Sequence, residues 1–334
     1  MGGNDSAMLI ELLKPLAKFI NDVDLNEISV NRPCEVWVEN WDGWKQHSVP
    51  ELTYEHCEHI ASLIANFNGK GVTSGNPVLS GSLPNGERVQ VLIPPACEKG
   101  TVSITIRKPS VLTKTLDELE SEGAFSQIRA LVDGLQDHEH ELIKLKSQHE
   151  IKKFLDLSVK SKQNILIVGQ TGSGKTTVAK SLALSIPTHE RLITIEDVRE
   201  LFLDSHPNRV HLLYSRNDEA GHKVTPKQAL ASCLRMKPDR ILLAELRGDE
   251  AWDYIKSINT GHAGSISTMH ANGAREAFEQ LTSLIKDSPT GAHLDSTYIK
   301  HRLYSTIDVV LFYSRRKLIE IYYNPEHKLS LINR

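Results

Sequence analysis

Gly169-Gln170-Thr171-Gly172-Ser173-Gly174-Lys175-Thr176 satisfies the pattern G-x-x-x-x-G-K-[ST] at every position. Residues of these types at this spacing wrap backbone around phosphate. The glycines let the chain approach an anion without Cβ clashes. Successive N–H groups and a helix N-terminus then face the charge. Lys175 is expected to reach β- and γ-phosphates, and Thr176 to place its hydroxyl on Mg²⁺. With Thr177 they make up the expected nucleotide-binding run.

Carboxylates must accompany such a cradle for hydrolysis. Asp239-Arg240-Ile241-Leu242-Leu243-Ala244-Glu245 is an apolar strand pattern ending in acid. The usual aspartate position at the strand end holds Ala244, and Glu245 comes one step later. A lone carboxylate there can orient metal-bound water or take a proton from the attacking water. Glu196 and Asp197 follow another apolar run. Strand ends in a parallel sheet gather along one edge, so both are expected in the same cleft. One would be a general base and the other an orienter in the metal shell. A plain helix cap is the alternative for Asp197. His262 and His270 flank a further strand, and His270 is expected to sense the γ-phosphate by hydrogen bonding. A buried, satisfied histidine is the ordinary alternative.

The elements that must position these groups divide the chain. From Gln163 onward, short apolar runs alternate with helical patterns. They lie at Ile165–Val168, Leu192–Glu196, Val210–Leu213, Arg240–Leu243, Ser265–Met269 and Val309–Phe312. Such alternation predicts an α/β sheet with parallel members. Before it, a helix around Met8–Lys14 precedes strands near Glu27–Asn31 and Cys34–Glu39. Thr53 caps an expected helix to about Asn66. Gly69–Gly86 reads as loops, and Arg88–Ile93 and Val102–Arg107 as strands. The expected organisation is an α+β domain at 1–110, a mainly helical linker at 111–150 with a helix over Asp117–Asp133, and an α/β domain at 151–334. His138 and His140 fall on different faces of a linker helix, so a solvated helix is expected there rather than a metal site.

A length of 334 residues suits about two domains. The 39 basic and 42 acidic residues nearly balance, which excludes a strongly basic nucleic-acid coat protein. No apolar run approaches the roughly 18–20 residues that span a bilayer. Cys34, Cys57, Cys97 and Cys233 form no CxxC pair, so reduced thiols are expected. Nothing resembles a secretory signal. Met1-Gly2 with Ser6 fits a short myristoylation pattern, which is set aside. Leu9, Leu12, Leu13, Leu16 and Phe19 form a stripe beside Lys14 and Lys18 that could lie on lipid or face a core.

The phosphate loop stands in series with Thr194-Ile195-Glu196-Asp197, with Arg235-Met236-Lys237-Pro238-Asp239-Arg240 leading to Glu245-Leu246-Arg247, and with Gly261-His262-Ala263-Gly264 and Thr268-Met269-His270-Ala271. This series resembles the secretion and traffic ATPases of type II and type IV secretion systems and type IV pili. Glu27-Ile28-Ser29-Val30-Asn31-Arg32-Pro33 and Ser103-Ile104-Thr105-Ile106-Arg107-Lys108-Pro109-Ser110 lean toward the hexameric ATPase of bacterial type IV secretion systems. The family shares the missing strand-end aspartate. The absence of a tetracysteine zinc motif argues against the type II assembly ATPases.

The resemblance implies a RecA-like P-loop NTPase domain preceded by a small α+β domain, in a hexameric ring. It implies Mg²⁺-dependent ATP hydrolysis that powers substrate translocation or pilus assembly. Implied partners are further copies of the chain, other secretion-system ATPases, inner-membrane components and a secreted protein or DNA–protein substrate. The implied location is the cytoplasmic face of the inner membrane, with peripheral membrane contact. Family members reach nucleotide phosphate with an N-terminal-domain arginine. Arg107 is the matching candidate and Arg129 a second, while Arg235 and Arg247 belong to the subunit boundary. Other readings are a pilus assembly or retraction motor, a DNA translocase and a nucleotide-gated scaffold without turnover. No basic stripe with interleaved aromatics supports the translocase, and no sequence-specific nucleic-acid binding is expected.

Overall fold

The structure is a computed structural model and describes residues 2–109, 113–128, 134–215 and 224–332. Arg129 and the end of the helix expected over Asp117–Asp133 lie outside the described residues.

The first layer contains α1 (Gly2–Leu12), α2 (Lys14–Ile20), β1 (Glu27–Val30), β2 (Glu35–Asn40), β3 (Gly43–Ser48), α3 (Tyr54–Phe67), β4 (Val78–Ser82), β5 (Arg88–Leu92) and β6 (Ser103–Arg107). Pro15 sits in the first turn of α2, where its missing N–H leaves no intrahelical bond unmade. Thr53 Oγ accepts the His56 N–H at 3.2 Å and starts α3 as expected. The strands form an antiparallel sheet in the order β3-β2-β1-β6-β5-β4. Leu9, Leu16, Ile60 and Ile64 from the helices and Ile28, Val91 and Ile104 from the sheet share one core. The stripe Leu9, Leu13, Leu16 and Phe19 is therefore buried in protein, so the lipid-facing reading is corrected. Two strands were not expected. β3 is largely polar with no buried residue, and β4 carries Ser-Gly-Ser. Both exist because a neighbouring strand supplies the ladder.

Next come α4 (Leu116–Ser121), α5 (Asp137–Ser147) and α6 (Ile151–Lys160). α4 is capped by the reciprocal Thr115–Glu118 pair and buries nothing. It ends before Gly123, whose φ is +77°, so the helix is far shorter than the span expected for it. α5 behaves differently. Leu142 and Leu145 pack with Phe154, Val159 and Ile165, which fixes the end of the expected linker to the second layer.

The second layer contains β7 (Ile165–Gly169), α7 (Lys175–Ala183), β8 (Leu192–Glu196), β9 (Arg209–Leu213), α8 (Pro226–Cys233), β10 (Arg240–Leu243), α9 (Glu250–Asn259), β11 (Ile266–Met269), α10 (Glu276–Lys286), α11 (Ser296–Thr306), β12 (Val309–Ser314), β13 (Lys317–Tyr323) and α12 (Pro325–Ile332). The sheet order is β13-β12-β7-β11-β10-β8-β9, parallel except for β13. The C-terminal ends of β12, β7, β11, β10 and β8 therefore line one edge. Every residue of β7, β8, β10 and β11 is buried, as continuous apolar runs require. Arg240 opens β10 and is fully buried. Its Nε and Nη2 donate to the Glu190 carboxylate at 2.7 and 2.8 Å, and its Nη1 to the Val159 carbonyl at 2.7 Å.

The two layers meet through specific contacts. Buried Arg191 donates to Asn31 and Asn208 Oδ1 at 2.8 and 2.5 Å, and Lys237 pairs with Glu39 at 2.7 Å. Leu92, Ala96 and Cys97 enter the core of the second layer. Among the described residues no helix is long and apolar enough to cross a membrane.

Candidate functional site

The loop between β7 and α7 borders a cleft of about 760 Å³. Gly172 and Gly174 adopt φ of +73° and +96°, a backbone only glycine takes freely, and Gly174 is the N-cap of α7. No atom lies within 4 Å of a Cβ built at Gly172, so the cradle is open toward the cleft. Gly169 is required for another reason. A side chain there would run into the Tyr313 carbonyl of β12. Lys175 Nζ donates to the carbonyls of Gly169 and Gln170 at 2.8 and 3.0 Å, folded back over the loop it would leave for a phosphate. Burial holds its pKa below the usual lysine value, against the pull of Glu245.

Glu245 ends the β10 side of the cleft. Its Oε1 lies 2.9 Å from His270 Nε2, and its Oε2 accepts from Arg247. Arg247 also faces Asp197 Oδ2 at 3.7 Å. The hydrogen bond from Arg247 to Glu245 raises the guanidinium's pKa. Asp197, Arg247, Glu245 and His270 thus form one connected polar run in the cleft that holds Lys175. Thr268 Oγ donates to the Ala244 carbonyl at 2.7 Å and locks the ends of β10 and β11 together. Glu250 Oε1 accepts the N–H groups of Arg247 and Gly248 and fixes the turn after Glu245.

Of the expected site residues, Thr171 to Thr177, Asp197, Glu245 and His270 share this cleft. Gly169 and Gln170 border an adjoining polar hollow on the other side of the loop with His270. Glu196 does not line the cleft, which corrects its expected role there. It is fully buried. Its Oε1 accepts from Thr194 Oγ at 2.7 Å, and its Oε2 accepts the Glu200 and Leu201 N–H groups at 2.8 Å each. Burial alone would raise its pKa. The hydrogen bonds, with His211 alongside, overcome that and hold the carboxyl below its ordinary range. Asp197 accepts from the Val198 N–H at 2.9 Å, and no helix follows for it to cap.

His262 is also outside the cleft. Its Nδ1 meets the Pro238 carbonyl at 3.0 Å, and burial lowers its pKa. Arg107 stands at the end of β6 with its side chain 66% exposed, 3.5 Å from Glu27, and does not line the cleft of its own chain. Arg235 is exposed beyond α8. Among the cleft residues that were not expected are Val198, Glu200 and Leu201 after β8, and Tyr313 and Arg316 from the end of β12 and the turn into β13. The adjacent arginines 315 and 316, between two alternating runs, were the available signal.

The donor set suits a nucleotide with a divalent cation: an open cradle of N–H groups, a lysine, the Thr176 hydroxyl and the carboxylates of Asp197, Glu200 and Glu245 within one cleft. Residues 11–313 match the family model for type II/IV secretion system proteins. The type IV secretion system protein VirB11 of Brucella suis is 42% identical over 328 residues, covering 96% of this chain and 91% of that one. VirB11 of Bartonella quintana is 42% identical, with coverage of 96% and 94%. PtlH of Bordetella pertussis is 40% identical, with coverage of 93% and 94%. The crystal structure of the VirB11 ATPase of the Brucella suis type IV secretion system, in complex with sulphate, superposes with a TM-score of 0.93 at 41% identity. It covers 99% of this chain and 98% of that chain.

Proposed function

We propose a mechanism from one premise: the chain belongs to the type II/IV secretion system protein family, and it is a secretion-system ATPase. Lys175 leaves its two carbonyl partners and pairs with the β- and γ-phosphates. Glu245 accepts the proton of a water whose oxygen bonds to the γ-phosphorus as the bond to the bridging oxygen breaks. ADP leaves with the electron pair of that bond. Arg247 donates to the Glu245 carboxylate and aims it. His270, at 2.9 Å from that carboxylate, donates to a γ-phosphate oxygen when nucleotide enters. Thr176 would hold Mg²⁺ directly, and Glu245 and Asp197 through water. The ion would neutralise charge on the transferring phosphate.

Arg107 acts on the cleft of a neighbouring copy. Its exposure and its absence from the lining of its own cleft support this. The working form is then a homo-hexameric ring on the cytoplasmic face of the inner membrane. It would meet other secretion-system components and move a protein or DNA–protein substrate.

The observation that carries the reading is the Glu245 carboxylate held between Arg247 and His270, facing the phosphate-loop lysine. Steady-state ATP hydrolysis across a protein dilution series tests it. Glu245→Gln should lower kcat by about 10²–10⁴-fold while ATP still binds, and Lys175→Ala should abolish turnover. Specific activity should fall on dilution. Equal rates for wild type and Glu245→Gln would remove Glu245 from the chemistry.

A further inference from the structure

The turn between β12 and β13 carries two arginines in left-handed backbone, Arg315 at φ +48° and Arg316 at φ +62°. Two-residue hairpin turns of this kind favour glycine, asparagine or aspartate. Two bulky side chains at these positions carry a backbone cost that glycine would not. The tip is also docked. The Arg316 N–H donates to the Ser173 carbonyl of the phosphate loop at 3.1 Å. A side chain begun at Gly174 would meet Arg316 Cα and Cγ at 3.7 Å. The arginine borders the nucleotide cleft, is exposed and has no acidic partner among the described residues.

Its place in the sheet says which part of a nucleotide it serves. β12 flanks β7 on one side, whereas β11 and β10, which carry His270 and Glu245, lie on the other. The reacting phosphate must sit toward Glu245. A cation across the phosphate loop, beside Gly174 and the start of α7, faces the phosphates nearer the nucleoside. We propose that Arg316 is a nucleotide-binding residue that holds these inner phosphates, setting nucleotide affinity rather than the rate of phosphoryl transfer. The docked backbone places the guanidinium before nucleotide arrives, which limits the ordering that binding must supply. This assignment rests on the nucleotide reading of the cleft given above.

Calorimetric titration of the full chain with ADP and with ATP tests it. Arg316→Ala and Arg316→Gly should each weaken both ligands about tenfold, since one charge-assisted contact to phosphate is lost from each. Arg316→Lys should recover part of the affinity. The KM for ATP should rise with Kd, and kcat at saturation should fall less than threefold. Glycine suits a φ of +62°, so Arg316→Gly should melt at or above the wild-type temperature while binding more weakly, which separates the effect from unfolding. An ADP affinity within twofold of wild type in Arg316→Gly would overturn the proposal. So would a collapse of kcat with ADP affinity intact, because that marks a contact to the γ-phosphate. Loss of ADP binding in Lys175→Ala alongside retention in Arg316→Gly would leave the ATPase reading standing and remove only this one. Failure of the wild-type chain to bind ADP would remove both.

Discussion

Glu196 shows how a residue's type can be legible while its task is not. An acid at the end of an apolar strand beside a phosphate loop reads as a general base. Burial decides otherwise, and burial depends on what the rest of the chain places over the strand. Both carboxylate oxygens are occupied, and one of them clamps the backbone of residues 200 and 201. Asp197, Val198, Glu200 and Leu201 border the cleft, so Glu196 is a positioning residue that shapes its wall. Glu196→Gln should cost about 1–3 kcal/mol of stability, because a charged acceptor is replaced by a weaker one that also adds a donor to a buried site. Its folded pKa lies below 4.5. The contribution is therefore complete above that value and is lost as pH falls through the folded pKa. Urea midpoints of wild type and variant should differ at pH 7 and draw together as pH falls through the folded pKa. A general base would give the reverse pattern: unchanged midpoints and a kcat reduced 10²-fold or more. Glu245, the phosphate loop and His270 were readable because short motifs carry their geometry locally. Arg316 was not, since its meaning comes from a hairpin touching a loop more than a hundred residues away.

Elements were legible where one periodicity governed them. The buried parallel strands and the Thr53-capped α3 follow from apolar runs and a capping residue. β3 and β4 were missed because their sequences carry little burial signal and their partners create them; β13, an apolar run beyond the Arg315-Arg316 turn, was readable and was overlooked. The element that aims Glu245 is β10, and its start is fixed by the buried Arg240–Glu190 pair. Arg240→Met alone should cost about 3–5 kcal/mol, since it leaves the buried Glu190 carboxylate with only the longer pair to Lys162 at 3.5 Å. Pairing it with Glu190→Leu should recover most of that loss, because an apolar pair needs no charge compensation. Thermal melts of both single variants and the double variant would measure the coupling. Additive losses would mean that the pair does not act as a unit. Gly264→Ala touches the same construction. Its φ is +84°, and a Cβ there would lie 3.0 Å from Arg240 Cζ. It should destabilise by about 2 kcal/mol or more, from strain plus the displaced guanidinium.

At the scale of the molecule, two separate sheets were foreseeable from the change of pattern near residue 163. Their junction was not. Asn31, Glu39, Arg191, Asn208 and Lys237 are scattered over two hundred positions, and nothing local marks them as one cluster. Glu27 joins that cluster with its side chain 4% exposed and Arg107 3.5 Å away. Burial pushes its carboxyl up to about 7; Arg107 opposes the rise most, Glu39 adds to it, and Lys237 and Arg191 oppose it further. The sign follows directly. A carboxyl raised on folding binds its proton more tightly in the native state, so ionising it costs the fold. The cost is absent below about 4.5, grows between 4.5 and 7, and is constant above. A rise of that size corresponds to about 3 kcal/mol as an upper figure. Glu27→Gln keeps the shape and removes the charge. It should therefore match wild type near pH 4.5 and exceed it by up to about 3 kcal/mol at pH 8, read from guanidinium midpoints at both values. A difference independent of pH would show that neighbouring cations hold the carboxylate ionised throughout. The junction would then be an ordinary ion-pair network, with Arg107 tied to Glu27 at every working pH. With the expected result, Arg107 is bound to a carboxyl that is only partly ionised near neutrality, a weak hold of the kind that the proposed reach toward a neighbouring copy requires.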